Sequence, residues 1–158
     1  MGYVVPAMCW TGICLAVNTG LLVPMIESSV IGESEGARLE KSMFALVSLG
    51  VGEIVGALLI GQVIDRLGNR PAIICTVASV AIQAIFLMIF YWQNSYGVLT
   101  HVMTFFWGFS DGIVNTHVQD ILGFEFAPDN VRPYSIFNFL QSMVIFVFLI
   151  IEAAVITR

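Results

Sequence analysis

What this sequence has least of is charge. Its 158 residues include six Lys or Arg and eleven Asp or Glu, 11% charged against 58% hydrophobic, with a mean hydropathy of +0.92. A soluble domain carries roughly 25% charged residues. This chain cannot clothe a water-facing surface, so the solvent it implies is a lipid bilayer. The basic residues are too few and too scattered for a nucleic-acid footprint. The net charge of −5 owes much to one segment holding Glu27, Glu33, Glu35 and Glu40. Cysteine is sparse too. Cys9, Cys14 and Cys75 fall inside apolar runs, and their spacing is neither a disulfide framework nor a metal site, so they read as small hydrophobes. His101 and His117 have no ligand partner at helical spacing, which argues against a metal centre. There is no nucleophile elbow, no glycine loop built for phosphate and no cofactor motif, and Asp111 and Glu53 cannot be called a catalytic pair, so an enzyme is not expected. No basic stretch follows Met1, and the first apolar run is long enough to span, so a cleavable signal is not expected either.

Five long apolar runs take the place of what is missing. They cover about 3–26, 43–63, 71–92, 98–123 and 134–156, each about the 20 residues a helix needs to cross hydrocarbon. The expected fold is therefore an all-α, multi-pass integral membrane protein. It has one membrane domain over 1–158 and its two termini on opposite faces. Pro6 and Pro24 sit near the ends of the first run, where proline disturbs a helix least. Residues 27–41 read as an exposed acidic loop, with Ser42 as the cap of the second helix. Gly52 and Gly56 form a small-residue pair suited to close helix contact. Tyr91, Trp92 and Tyr96 fit an interfacial aromatic belt at the exit of the third run. A short charged connection with Pro128, Asp129, Arg132 and Pro133 precedes the fifth.

Polar residues inside these runs are the candidates for function, because an unpaired polar group is costly in lipid. Glu53 lies near the middle of the second run. It is either a functional carboxylate or a protonated one that bonds a neighbouring helix. Thr104, Gly108, Asp111, Asn115 and Gln119 step along the fourth run by four, three, four and four residues, which puts them on one helical face. That face is expected to turn inward, toward a cavity or toward neighbouring helices. His117 and Asp120 lie toward the far end, as interfacial candidates. Asn18 could line a cavity or serve packing. Asn138, Gln141 and Ser142 make a polar patch early in the fifth run, and Glu152, near its end, is expected to snorkel or to be paired.

The densest charge outside the acidic segment is Gly61-Gln62-Val63-Ile64-Asp65-Arg66-Leu67-Gly68-Asn69-Arg70, a hairpin between the second and third runs. It resembles the G-x-x-x-D-R-x-G-R-[RK] signature of the major facilitator superfamily. Gly61, Asp65, Arg66, Gly68 and Arg70 match, and Asn69 stands where the family has Arg or Lys. The stretch Phe106-Trp107-Gly108-x-x-Asp111-x-x-x-Asn115-Thr116 is similar to the fourth helix of a half in the Unc-93-like branch of that superfamily.

The resemblance implies a secondary transporter working by alternation of two bundles, with a small solute, itself unidentified, bound between halves near the midplane. Asp65 and Arg66 would hold the cytoplasmic helix ends together in one state of the cycle, and Asp65 would need a hydrogen-bonding partner there. Asp111 and Asn115 would face the central cavity; Thr104 and Gln119, on the same helical face, and Asn18 are further lining candidates from their own positions. Glu53 or Asp111 would carry a proton if transport is coupled, since a buried carboxylate can load and release one as its access changes. The resemblance also puts the signature loop in the cytoplasm. Charge alone does not decide, with Arg66, Arg70 and Arg132 on one side and Arg38, Lys41 and Arg158 on the other. A full member has about twelve helices in two halves. Five spans then suggest part of one half, the C-terminal one, that needs a complementary half or a second membrane chain. The rival expectation is a non-transporting regulatory or trafficking partner of other membrane proteins, a role the Unc-93-like branch also implies.

Overall fold

The computed structural model describes residues 4–126 and 131–156. Their elements are helices: α1 (Val5–Val17), a π-helical segment (Asn18–Leu22), α2 (Val23–Ser29), α3 (Glu35–Leu67), α4 (Asn69–Gln93), α5 (Val98–Glu125) and α6 (Val131–Ile156). Tyr3, Pro128, Asp129, Thr157 and Arg158, which bore on the span limits and the charge balance, lie outside the described residues. Among the described residues, four stretches are both long and apolar enough to cross a membrane: Val5–Ser29, Glu35–Leu67, Asn69–Gln93 and Val131–Ala154. The fifth, α5, has 28 residues and so about 42 Å of length at 1.5 Å per residue, ample for a hydrocarbon core of about 30 Å. Its apolarity is diluted by the polar stripe.

The helices outrun the apolar runs, for local reasons. Ser34, not Ser42, caps α3: its side chain accepts the Ala37 N–H at 3.4 Å. Ser42 is buried a further two turns in and donates to the Arg38 carbonyl at 3.0 Å. Residues 27–29 and 35–41, most of the expected acidic loop, are thus helical. With 33 residues α3 is about 50 Å long, so its first turns can extend beyond hydrocarbon and keep Glu35, Arg38, Glu40 and Lys41 wet. Pro24 lies inside a continuing helix rather than at its end. Its ring would crowd the carbonyl four residues back, on Gly20, and Gly20 sits in the widened π turn just before it. The hairpin between α3 and α4 shrinks to Gly68, whose φ of +85° lies in the region that favours glycine. Pro71 and Pro133 fall in the first turns of α4 and α6, where the N–H they lack would go unbonded anyway.

The chain forms two compact units. In the unit of Met1–Val23 and Val118–Arg158, α1 packs on α6. The helices come closest at Gly12, where an added Cβ would stand 2.9 Å from both the Gln141 carbonyl oxygen and the Val144 Cβ. The Gln141 amide donates to the Thr11 hydroxyl at 3.2 Å beside that contact.

In the unit of Pro24–His117, α3, α4 and α5 pack together. Gly52 and Gly56 on α3 abut the backbone of Phe105 and Phe109, while Gly108 and Gly112 on α5 abut that of Leu49 and Glu53. The four glycines interlock the two helices almost backbone to backbone. Ile60, Ala72 and Ile113 fill the junction with α4, backed by Val63, Ile64, Cys75 and Phe109.

Candidate functional site

The polar face of α5 is built on that glycine contact. Thr104 is fully buried and spends its hydroxyl on its own helix, on the Thr100 and His101 carbonyls at 3.0 and 3.1 Å. Gly108 holds the approach to α3. One turn on, Asp111 is 8% exposed, and its Oδ1 is buried without a hydrogen-bond partner. The Asn115 side chain, half-buried, lies within interaction reach of the same carboxylate. Trp107 Nε1 is a second buried polar atom without a partner.

Glu53 enters from α3. Its backbone packs against Gly108 and Gly112, and its side chain is exposed, within electrostatic reach of Asp111. The fold thus brings Glu53, Asp111 and Asn115 together inside one unit: an accessible acid beside a buried one with an amide in reach. Such a pair can pass a proton between surface and interior, or accept hydrogen bonds from a polar solute. A largely apolar cavity of about 350 Å³ opens elsewhere on the same helices, lined by Val47, Val51, His101, Val102, Phe105 and Phe106, and Asp111 does not reach it.

The remaining expected cavity residues belong to the other unit. Asn18 opens the π segment and is half-buried. Gln119 is exposed, and its carbonyl accepts the Tyr134 hydroxyl at 2.9 Å.

At the signature loop, Asp65, Arg66 and Arg70 are exposed and Gly61 and Gly68 half-buried. Asp65 has no hydrogen-bonding or ionic partner among the described residues, contrary to the expectation for a carboxylate at a helix end. Asn69 is held instead. Its Oδ1 lies 2.6 Å from His117 Nε2, and His117 Nδ1 lies 2.9 Å from the Thr76 hydroxyl. His117 is therefore not interfacial: it is 5% exposed and ties α5 to the start of α4. Ser79, three residues beyond Thr76 on the same helix, bonds Ser110 on α5 at 3.4 Å.

Glu152 does not snorkel: it is 7% exposed, against the space that Gly20 leaves open, and neither carboxyl oxygen has a partner among the described residues. Only the tertiary contact reveals that space. Among the described residues no cluster of His, Cys, Asp or Glu could hold a metal ion, and the three cysteines form no disulfide.

A family model described as Major Facilitator Superfamily matches residues 2–149. No curated protein and no solved structure matches the chain.

Proposed function

The chain belongs to the major facilitator superfamily, and from that membership we propose that it moves a small polar solute by alternating access, with the Glu53–Asp111–Asn115 group as the proton-coupling part of its path. The observation that carries the reading is Asp111 Oδ1, a buried acceptor left unpaired beside a second, accessible carboxylate. A polar atom buried unpaired costs on the order of 1–3 kcal/mol, and a site that meets a proton or solute during its cycle gives a reason to keep one. Thr104, Asn18 and Gln119 belong to the same proposal as lining of an assembled cavity. The signature loop is assigned to the cytoplasm, with Asp65 and Arg66 as contacts made in one state of the cycle. The complementary bundle would be further protein of the same kind, in a longer chain or a second one. The buried Trp107-Gly108 step, with Asp111 and Asn115 beyond it, supports placing the chain in the Unc-93-like branch.

The test uses single cysteines at positions 111, 115 and 119, in a background where Cys9, Cys14 and Cys75 are replaced by serine. Membranes carrying the protein are treated with a small water-soluble thiol reagent. Labelling at 111 and 115 that changes with the pH gradient across the membrane is the expected result. Inert cysteines at both positions would remove the path and leave a non-transporting partner of other membrane proteins as the better reading.

A further inference from the structure

We propose that His117 is a proton-binding site whose occupancy sets how firmly the start of α4 is tied to α5. The site lies within the Pro24–His117 unit and is separate from the Asp111 group. Its basis is hydrogen-bond accounting. A neutral imidazole has one donor and one acceptor nitrogen, and an imidazolium has two donors. With a proton on Nε2 alone, the ring donates to Asn69 Oδ1 at 2.6 Å and accepts from the Thr76 hydroxyl at 2.9 Å. With both nitrogens protonated, Nδ1–H donates to Thr76, whose own hydrogen turns to the Ala72 carbonyl at 2.9 Å. At Thr76, a hydroxyl rotation accommodates the second proton.

The position of Asn69 gives this proton its consequence. Asn69 directly follows Gly68, the single non-helical residue between α3 and α4. A grip on Asn69 is therefore a grip on the hinge. Hydrogen bonds from a charged donor are roughly twice as strong as neutral ones, so the protonated ring holds the hinge more tightly. An Arg or Lys at position 69 would have no acceptor to offer, so the departure from the signature is what makes the latch. The charged groups nearest along the packed elements are Asp65 and Arg66 in the last turn of α3, Arg70 in the first turn of α4, and Asp111 and Asp120 within two turns on α5. The three at the hinge are exposed to solvent, and Asp111 lies within interaction reach of Asn115.

The experiment uses the full chain in lipid nanodiscs and reads the latch itself, not solute movement, so it stands apart from the transport proposal. Nitrogen NMR of the imidazole rings is recorded between about pH 5 and 8, the range in which histidine titrates. Hydrogen exchange of residues 66–72, corrected for intrinsic rate, is followed alongside. The expected result is that His117 titrates and that exchange at the hinge slows about tenfold in its protonated form, in line with the stronger charged bond. His117→Gln keeps polar contacts but should make the corrected exchange independent of pH. Asn69→Leu should leave the ring titrating while uncoupling the hinge from it. A ring that keeps one protonation state over this range would overturn the proposal. So would a pH-dependent hinge that persists in either variant.

Discussion

At the scale of single residues, the two buried carboxyl groups differ in what holds them. Asp111 has an amide neighbour and a nearby acid, whereas Glu152 has neither bond nor counter-ion on its oxygens. Asp111→Asn preserves shape and the capacity to bond Asn115, so stability should change by less than about 1 kcal/mol. Proton movement into liposomes carrying a trapped pH-sensitive dye should fall to background. Full proton movement in this variant would exclude Asp111 from coupling. Glu152→Leu removes two unpaired polar atoms from a buried place. Since such atoms cost about 1–3 kcal/mol, the thermal midpoint in detergent should hold or rise. A fall of several degrees would mean that Glu152 has a partner in the membrane.

At the scale of elements, the α3–α5 contact rests on atoms that cannot yield. A Cβ at Gly108 would lie 1.9 Å from the Leu49 carbonyl oxygen, and one at Gly112 2.2 Å from that of Glu53. Gly108→Ala must push two backbones apart, with a loss of about 1–3 kcal/mol or more, as overpacking costs. Gly20→Ala meets Glu152 Oε2 at a still shorter 1.8 Å, yet that atom ends a side chain that can swing away. Its loss should be the smaller. Gly50→Ala, with nothing within 4 Å, should gain about 0.5–1 kcal/mol from helix propensity alone. Unfolding of the three variants in one detergent checks the order; equal losses for Gly108 and Gly50 would show that the helices do not touch where the glycines place them.

At the scale of the whole molecule, the lipid-facing character is plain in the exposed apolar surface. Phe44, Ile54, Leu58, Ile74, Phe139 and Phe146 are each more than half exposed, an arrangement stable only in lipid or against another membrane protein. If α5 crosses along with the four more apolar stretches, five spans would put the two ends of the chain on opposite sides. Glycosylation acceptors fused at each end should therefore be modified one at a time, never both. Modification at both ends would take α5, the least apolar of the five, out of the membrane.

The solvent, the helical class and the family are all legible without coordinates. Each depends on composition or on a short contiguous pattern: the scarcity of charge, five apolar runs, and Asp65-Arg66-Leu67-Gly68 between two of them. The sequence also marked the polar face of α5, because helical spacing is a local property. The tertiary structure alone decided what those residues meet. That Gly52 and Gly56 meet the backbone of Phe105 and Phe109, and that Glu53 comes beside Asp111, are pairings across some fifty residues. His117 reads as interfacial from the sequence because it lies toward the far end of its apolar run. Its partners Asn69 and Thr76 lie on another helix, and only the fold of α4 against α5 brings them within reach.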